Sequence, residues 1–157
     1  MSESATTSNA ASRFYQRNFE KLSAASLADN FHDDAAIRAG THRYSAAYSH
    51  LRDNHAQTVL EMGYGGHGIV EFLAPLTREY HLVDIVDRSG AVEFPANVHA
   101  KVANLDNPFP FPDARFDTLV AMMVIEHMFD PFHAFSEAAR VTRPGATCSS
   151  TCRTSAR

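Results

Sequence analysis

The chain has 157 residues, 45% hydrophobic and 20% charged, with a formal net charge of -4, a length and mix that suit one globular domain with a sizeable core. The excess of acid excludes a broad phosphate-neutralising surface, so nucleic acid is not an expected partner. No apolar run approaches the roughly 20 residues of a membrane span, and the start MSESATTSNAAS lacks the basic and apolar parts of a secretory signal, so no membrane partner and a cytoplasmic location are expected.

Residues 1–11 are small and polar and are predicted to be disordered. Residues 12–56 read as a helical extension. Tyr15, Phe19, Leu22 and Phe31 recur at spacings that bury an apolar stripe. Gly40 is a stop signal and Thr41 an N-cap for the next helix, on which Tyr44, Tyr48 and Leu51 share a face. Those aromatics are read as packing residues, or alternatively as part of a lid over a ligand site.

At Thr58 the texture changes. Thr58–Met62 is a short apolar strand that runs into Gly63-Tyr64-Gly65-Gly66-His67-Gly68. A helix follows, with Ile69, Val70, Phe72, Leu73 and Leu76 at helical spacing and Pro75 and Thr77 at its end. Residues 80–86 form a second strand and 98–102 a weaker third. A proline-broken loop covers 104–115, and a strand covers 116–124, continuously apolar from Leu119 as in a sheet covered on both faces. Asp130-Pro131 supplies an N-cap and first-turn proline for a last helix, whose apolar positions include Phe132, Phe135 and Ala139 and which ends at Pro144-Gly145. Strands and helices alternate at the spacing of parallel βαβ units.

The glycine segment admits two readings. Glycines between a strand and a helix let backbone amides approach a ligand, an approach that side chains at Gly63 or Gly65 would block. Gly63, Gly65 and Gly68 fit G-x-G-x-x-G, with Asp84 about 20 residues on to hold a ribose, which is the dinucleotide pattern of a nicotinamide oxidoreductase. Glu61, two residues before the first glycine, makes the segment E-x-G-x-G instead. The nine histidines are scattered with no H-E-x-x-H pair, and Cys148 and Cys152 have no partner at ligand spacing, so no metal is expected.

E-x-G-x-G resembles motif I of the class I S-adenosylmethionine-dependent methyltransferases, and further motifs follow in order. Asn104-Leu105-Asp106-Asn107-Pro108-Phe109-Pro110-Phe111-Pro112-Asp113 with Phe116-Asp117 is similar to that family's D-L-N-x-P-L-P-F-P-D…F-D stretch. Val124-Ile125-Glu126-His127-Met128-Phe129-Asp130-Pro131 resembles V-I-E-H-L-x-D-P, and residues 137–145 resemble E-x-x-R-V-L-K-P-G. The departure is His67, which stands where the family has its third glycine. The resemblance implies a Rossmann-like, mostly parallel α/β sheet over residues 57–146 and S-adenosylmethionine as cofactor. It implies that Glu61, Gly63, Tyr64, Gly65, Asp84, Ile85, Asn104, Leu105 and Met122 surround that cofactor, with Asp87 replacing Asp84 if the second strand runs longer. His127 is either a proton-accepting catalytic residue or a structural hydrogen-bonder. A small-molecule acceptor is expected. The rivals are the oxidoreductase and a binding module that keeps the fold without the chemistry.

Residues 147–157 are polar and unpatterned where the family places a fifth strand. Read one base out of frame, degenerate codons for this stretch allow Y-L-F-I-N-L-P-H, so the tail is expected to be an aberrant, frameshifted end, with an authentic short variant as the alternative. The sheet is then expected to be incomplete, with about four strands. Its apolar fourth strand would be a bare edge open to self-association.

Overall fold

The computed structural model describes residues 33–55, 57–64, 67–85 and 93–151. The helices expected before residue 33, the disordered start, Gly65, Asp87 and Cys152 lie outside the described residues. Helix α1 (Asp34–Ala39) is capped by Asp33, whose carboxylate accepts from the Ala36 amide at 3.0 Å, and it ends on Gly40 at φ 84. Thr41 does not cap the next helix. Its hydroxyl donates back to the Ala36 carbonyl, and α2 (Ser45–Asp53) begins later, where the Ser45 hydroxyl accepts from the His42 amide at 3.0 Å. Tyr44, Tyr48 and Leu51 are buried together as the spacing predicts.

Strand β1 (Thr58–Met62) has the predicted limits and is buried along its whole length. Helix α3 (His67–Leu73) passes into a 3-10 turn at Ala74–Leu76, followed by β2 (Glu79–Asp84), β3 (Val98–Val102) and β4 (Phe116–Met122). A 3-10 turn at Ile125–His127 leads to α4 (Pro131–Val141), and β5 (Thr142–Thr151) follows without a linker. The sheet order is β3-β2-β1-β4-β5, and every neighbouring pair is parallel. The chain moves outward from β1 to β3 and returns on the other side of β1, which creates a switch point between β1 and β4. One sheet face carries the core of Val59, Tyr80, Leu82, Val120 and Met122 under α2 and α3. The other carries Leu60, Met62, Val83, Leu119 and Ala121 under α4. None of the helices among the described residues is long and apolar enough to cross a membrane.

One expectation is corrected here. The sheet has five strands, because the segment read as an aberrant tail pairs with β4 from Thr118↔Thr147 to Met122↔Thr151. Strand β4 is therefore interior. An outermost strand is held through its backbone ladder and one neighbour, so Thr147 and Ser149 suffice without an apolar face. Pro144-Gly145 lies inside β5, where the register shifts between Phe116 and Thr118. In α4 the buried residues are Ala134, Ala138 and Val141. Phe132 and Phe135 are 86% and 52% exposed, and Ala139 is exposed as well. The Asp130 carboxylate accepts from the His133 amide at 3.0 Å, which fixes the phase of the first turn. The alanine side then lets the helix axis approach the sheet.

Arg140 of α4 ties down the loop between β3 and β4. It donates to the Phe109 and Phe111 carbonyls at 3.1 and 3.0 Å, to Asp113 at 2.6 Å and to Glu137 at 2.7 Å. Glu137 in turn accepts from the Phe109 amide at 2.6 Å, and Arg140 first, then that amide, hold its carboxyl well below the usual range. Lysine offers no planar fork. Arg140→Lys is therefore expected to lower unfolding free energy by about 1–3 kcal/mol through acceptors left unsatisfied. Urea denaturation measures it, and a loss near zero would show the loop held by other means.

Candidate cofactor site at the carboxyl ends of the strands

Strand alternation sends Tyr80, Leu82 and Asp84 of β2 to the same face as Val59 and Glu61 of β1. Glu61 is fully buried. The Tyr44 hydroxyl donates to its Oε1 and the Tyr80 hydroxyl to its Oε2, each at 2.9 Å. Burial pushes the Glu61 carboxyl up to about 7; the two tyrosine hydroxyls oppose this, and the nearby charge of Asp84 adds to it. Burial and then Glu61 raise both tyrosines, so they stay neutral donors. Asp84 ends β2 at 8% exposure, and the strand stops there rather than running toward Asp87.

Gly63 leaves β1 with φ 65. Its amide donates to the Val83 carbonyl at 2.8 Å, extending the ladder between β1 and β2 instead of facing a ligand. A Cβ at this position would lie 2.3 Å from Val124 Cγ2. Close approach is thus needed here, but between two strand exits. Tyr64 is buried with its ring edge-on to Phe94, the centroids 5.9 Å apart.

Met122 ends β4 on the face of Glu61, and the next residue, Met123, turns at φ 55, a left-handed geometry uncommon outside glycine. Arg43 Nη1 donates to its sulfur at 3.3 Å, so the turn before α2 touches the exit of β4. Ile85 is half-buried just beyond Asp84. Asn104 is half-buried and its Oδ1 accepts from the Asp106 amide at 3.0 Å. Asp106 Oδ1 accepts from the Phe129 amide at 2.8 Å, linking the loop after β3 to the exit of β4. Leu105 is not gathered with these groups; its side chain packs into the opposite core with Leu60 and Met62. His127 is exposed in the 3-10 turn after β4.

Two residues of this arrangement were missed by reading the sequence. Tyr44 and Tyr80 pass for packing residues, yet they supply both partners of the buried acid. The available signal was Glu61 itself, since a carboxylate inside an apolar strand requires donors. Two acids thus share one sheet face, with apolar side chains beside them and an amide on the neighbouring loop.

The family described as "Methyltransferase domain" matches residues 60–149. A 36-residue stretch is 50% identical to 27-O-demethylrifamycin SV methyltransferase of Amycolatopsis mediterranei (strain S699), covering 23% of this chain and 13% of that protein. The methyltransferase solved in complex with the Haloferax volcanii Trm112 methyltransferase activator is 21% identical with a TM-score of 0.55, covering 73% of this chain and 56% of that one. An S-adenosylmethionine-dependent methyltransferase from Mesorhizobium loti is 15% identical with a TM-score of 0.56, covering 68% and 52%. The chain spans about half the length of these solved proteins, and at such identities the likeness is one of fold. With a match that takes in more than half of its residues, and a parallel sheet of the same design, the chain belongs to the methyltransferase domain family.

Proposed function

We propose that this chain binds S-adenosylmethionine across the carboxyl ends of β1, β2 and β4 and serves methyl transfer to a small-molecule acceptor. The observation that carries this reading is the pairing of Glu61 and Asp84, two buried acids on adjacent strands of one sheet face. Bound there, the cofactor supplies a methyl group on a sulfonium centre, open to in-line attack by a nucleophile. Asp84 accepts hydrogen bonds from the ribose hydroxyls, each such charged bond contributing roughly 1.5–3 kcal/mol. Glu61 acts one step back: it holds the Tyr44 and Tyr80 hydroxyls, and through Tyr44 the start of α2, over the site. Ile85 and Met122 provide apolar walls and Asn104 a hydrogen-bonding amide for the base. Segment α2 thereby serves as a cover that excludes water.

His127 is the residue we assign to removing a proton from the acceptor where its nucleophile requires that. A small acceptor fits the acidic net charge of -4, and the shared 36-residue stretch belongs to a protein named for a discrete organic acceptor, 27-O-demethylrifamycin SV. Self-association, where it occurs edge to edge, runs through the outer strands β3 and β5 of the described sheet.

Titration calorimetry with S-adenosylmethionine, its demethylated product and NAD tests the reading. We expect saturable binding of the first two and at least about tenfold weaker binding by Asp84→Ala, the factor given by one lost charged hydrogen bond. Binding of NAD alone, or unchanged affinity in a folded Asp84→Ala protein, would falsify it.

A further inference from the structure

Parallel pairing of β2 with β3 sets His81 beside His99, their ring centroids 4.8 Å apart. Glu79 projects from the same face of β2 as His81, and its Oε2 lies 3.1 Å from His81 Nε2. One ligand atom from each of the three residues lies within 4.8 Å of the others. These histidines are 18 positions apart in the sequence, so no ligand spacing announces them; the register of the sheet brings them together.

We propose that Glu79, His81 and His99 form a binding site for a divalent transition-metal ion, with zinc the best match. Two imidazoles and a carboxylate are a donor set that zinc accepts, with water in the fourth position. Zinc bonds of about 2.0–2.1 Å place ligand atoms about 3.3 Å apart along a tetrahedron edge. The Glu79–His81 pair already has that spacing. His99 is exposed on the outer strand and closes the remaining gap by turning its ring.

The site carries its own competitor. Arg115 Nη2 donates to Glu79 Oε2 at 2.6 Å and approaches His81 Nε2 at 3.5 Å. Its guanidinium thus stands where the ion would bind, and its side chain is 40% exposed, able to swing outward. The site lies on the sheet face away from Glu61 and Asp84 and, with Glu79 five and His81 three residues before Asp84, roughly 10–16 Å along β2 from it at about 3.3 Å per residue. The ion there takes no part in methyl transfer. It staples the outer strand β3 to β2, and its binding is independent of the cofactor reading above.

Calorimetric titration of zinc chloride into the 157-residue, tag-free, metal-free chain tests this, with each variant checked by circular dichroism. We expect one saturable site and a rise in melting temperature with zinc. Changing an outer-shell partner commonly weakens metal affinity about 10–100-fold, so removing a direct ligand in His99→Ala is expected to weaken it at least about tenfold. Arg115→Ala, by removing the competitor, is expected to bind zinc more tightly than the parent. A merely structural ion-pair cluster would not respond in that direction. No saturable binding, an undiminished affinity in His99→Ala, no gain in Arg115→Ala, or loss of binding in Cys148→Ser each overturns the proposal.

Discussion

Replacing Gly63 with alanine is expected to destabilise the fold by about 3 kcal/mol or more, as the sum of two separate effects. The first is local: at φ 65 an L side chain pays roughly 1–2 kcal/mol for left-handed backbone. The second is packing, since the new Cβ would sit 2.3 Å from Val124 Cγ2 and 2.8 Å from Val124 Cβ. The β-branched valine has no far end to move away, so main chain must shift, and overpacking of this kind costs about 1–3 kcal/mol. The strain would fall on the exits of β1 and β4, between which the cofactor is proposed to lie. Chemical denaturation of Gly63→Ala, Val124→Ala and the double variant separates the effects. Val124→Ala should relieve part of the packing loss and none of the backbone loss. A Gly63→Ala protein as stable as its parent would show that the two exits are not held in contact.

A second large effect is expected at Glu61. Its folded-state carboxyl is raised from 4.5 to about 7, so the native fold prefers the protonated acid. Below about pH 4.5 folded and unfolded chains both carry that proton, and the stabilisation is complete. As pH rises the unfolded acid ionises first and stability is lost until the folded acid ionises near 7, a total on the order of 3 kcal/mol. Glutamine keeps the volume and cannot ionise, and the tyrosine hydroxyls can rotate to meet both its oxygen and its amide. Glu61→Gln should therefore match the parent near pH 4 and exceed it near pH 8. Melting curves across that range decide it through the difference between the two proteins, which cancels other titrating groups. A difference that stays constant with pH would mean the acid titrates in the fold as it does in the unfolded chain.

Much of the architecture was legible because buried parallel strands declare themselves. The limits of β1 and β3, the stop at Gly40 and the cap at Asp130 follow from short apolar runs and from the chemistry of helix ends. Strand β5 was not legible, because an outer strand is stabilised by backbone bonds that serine and threonine make as well as valine does. The buried side of α4 was not legible from its apolar positions, because the helix offers two stripes, one aromatic and one of small residues. The cap and the close approach to the sheet favour the small one, and neither leaves a trace in hydrophobicity. The acids of the candidate site were readable from their distance to the glycines. The tyrosines that hold Glu61 were not, since Tyr44 and Glu61 are 17 residues apart and meet only once α2 lies on the sheet.

Helix α4 stops at Val141 and β5 starts at Thr142, so no slack separates them. The spare length is inside the strand instead: while β4 advances from Phe116 to Thr118, its partner advances from Thr142 to Thr147. Displacement of the helix is consequently absorbed in residues 143–146, and the far half of β5 keeps its alignment like a belt with a buckle upstream. That stretch is where this architecture tolerates added or deleted residues, because changes in length there need not propagate into the ladder that closes the sheet.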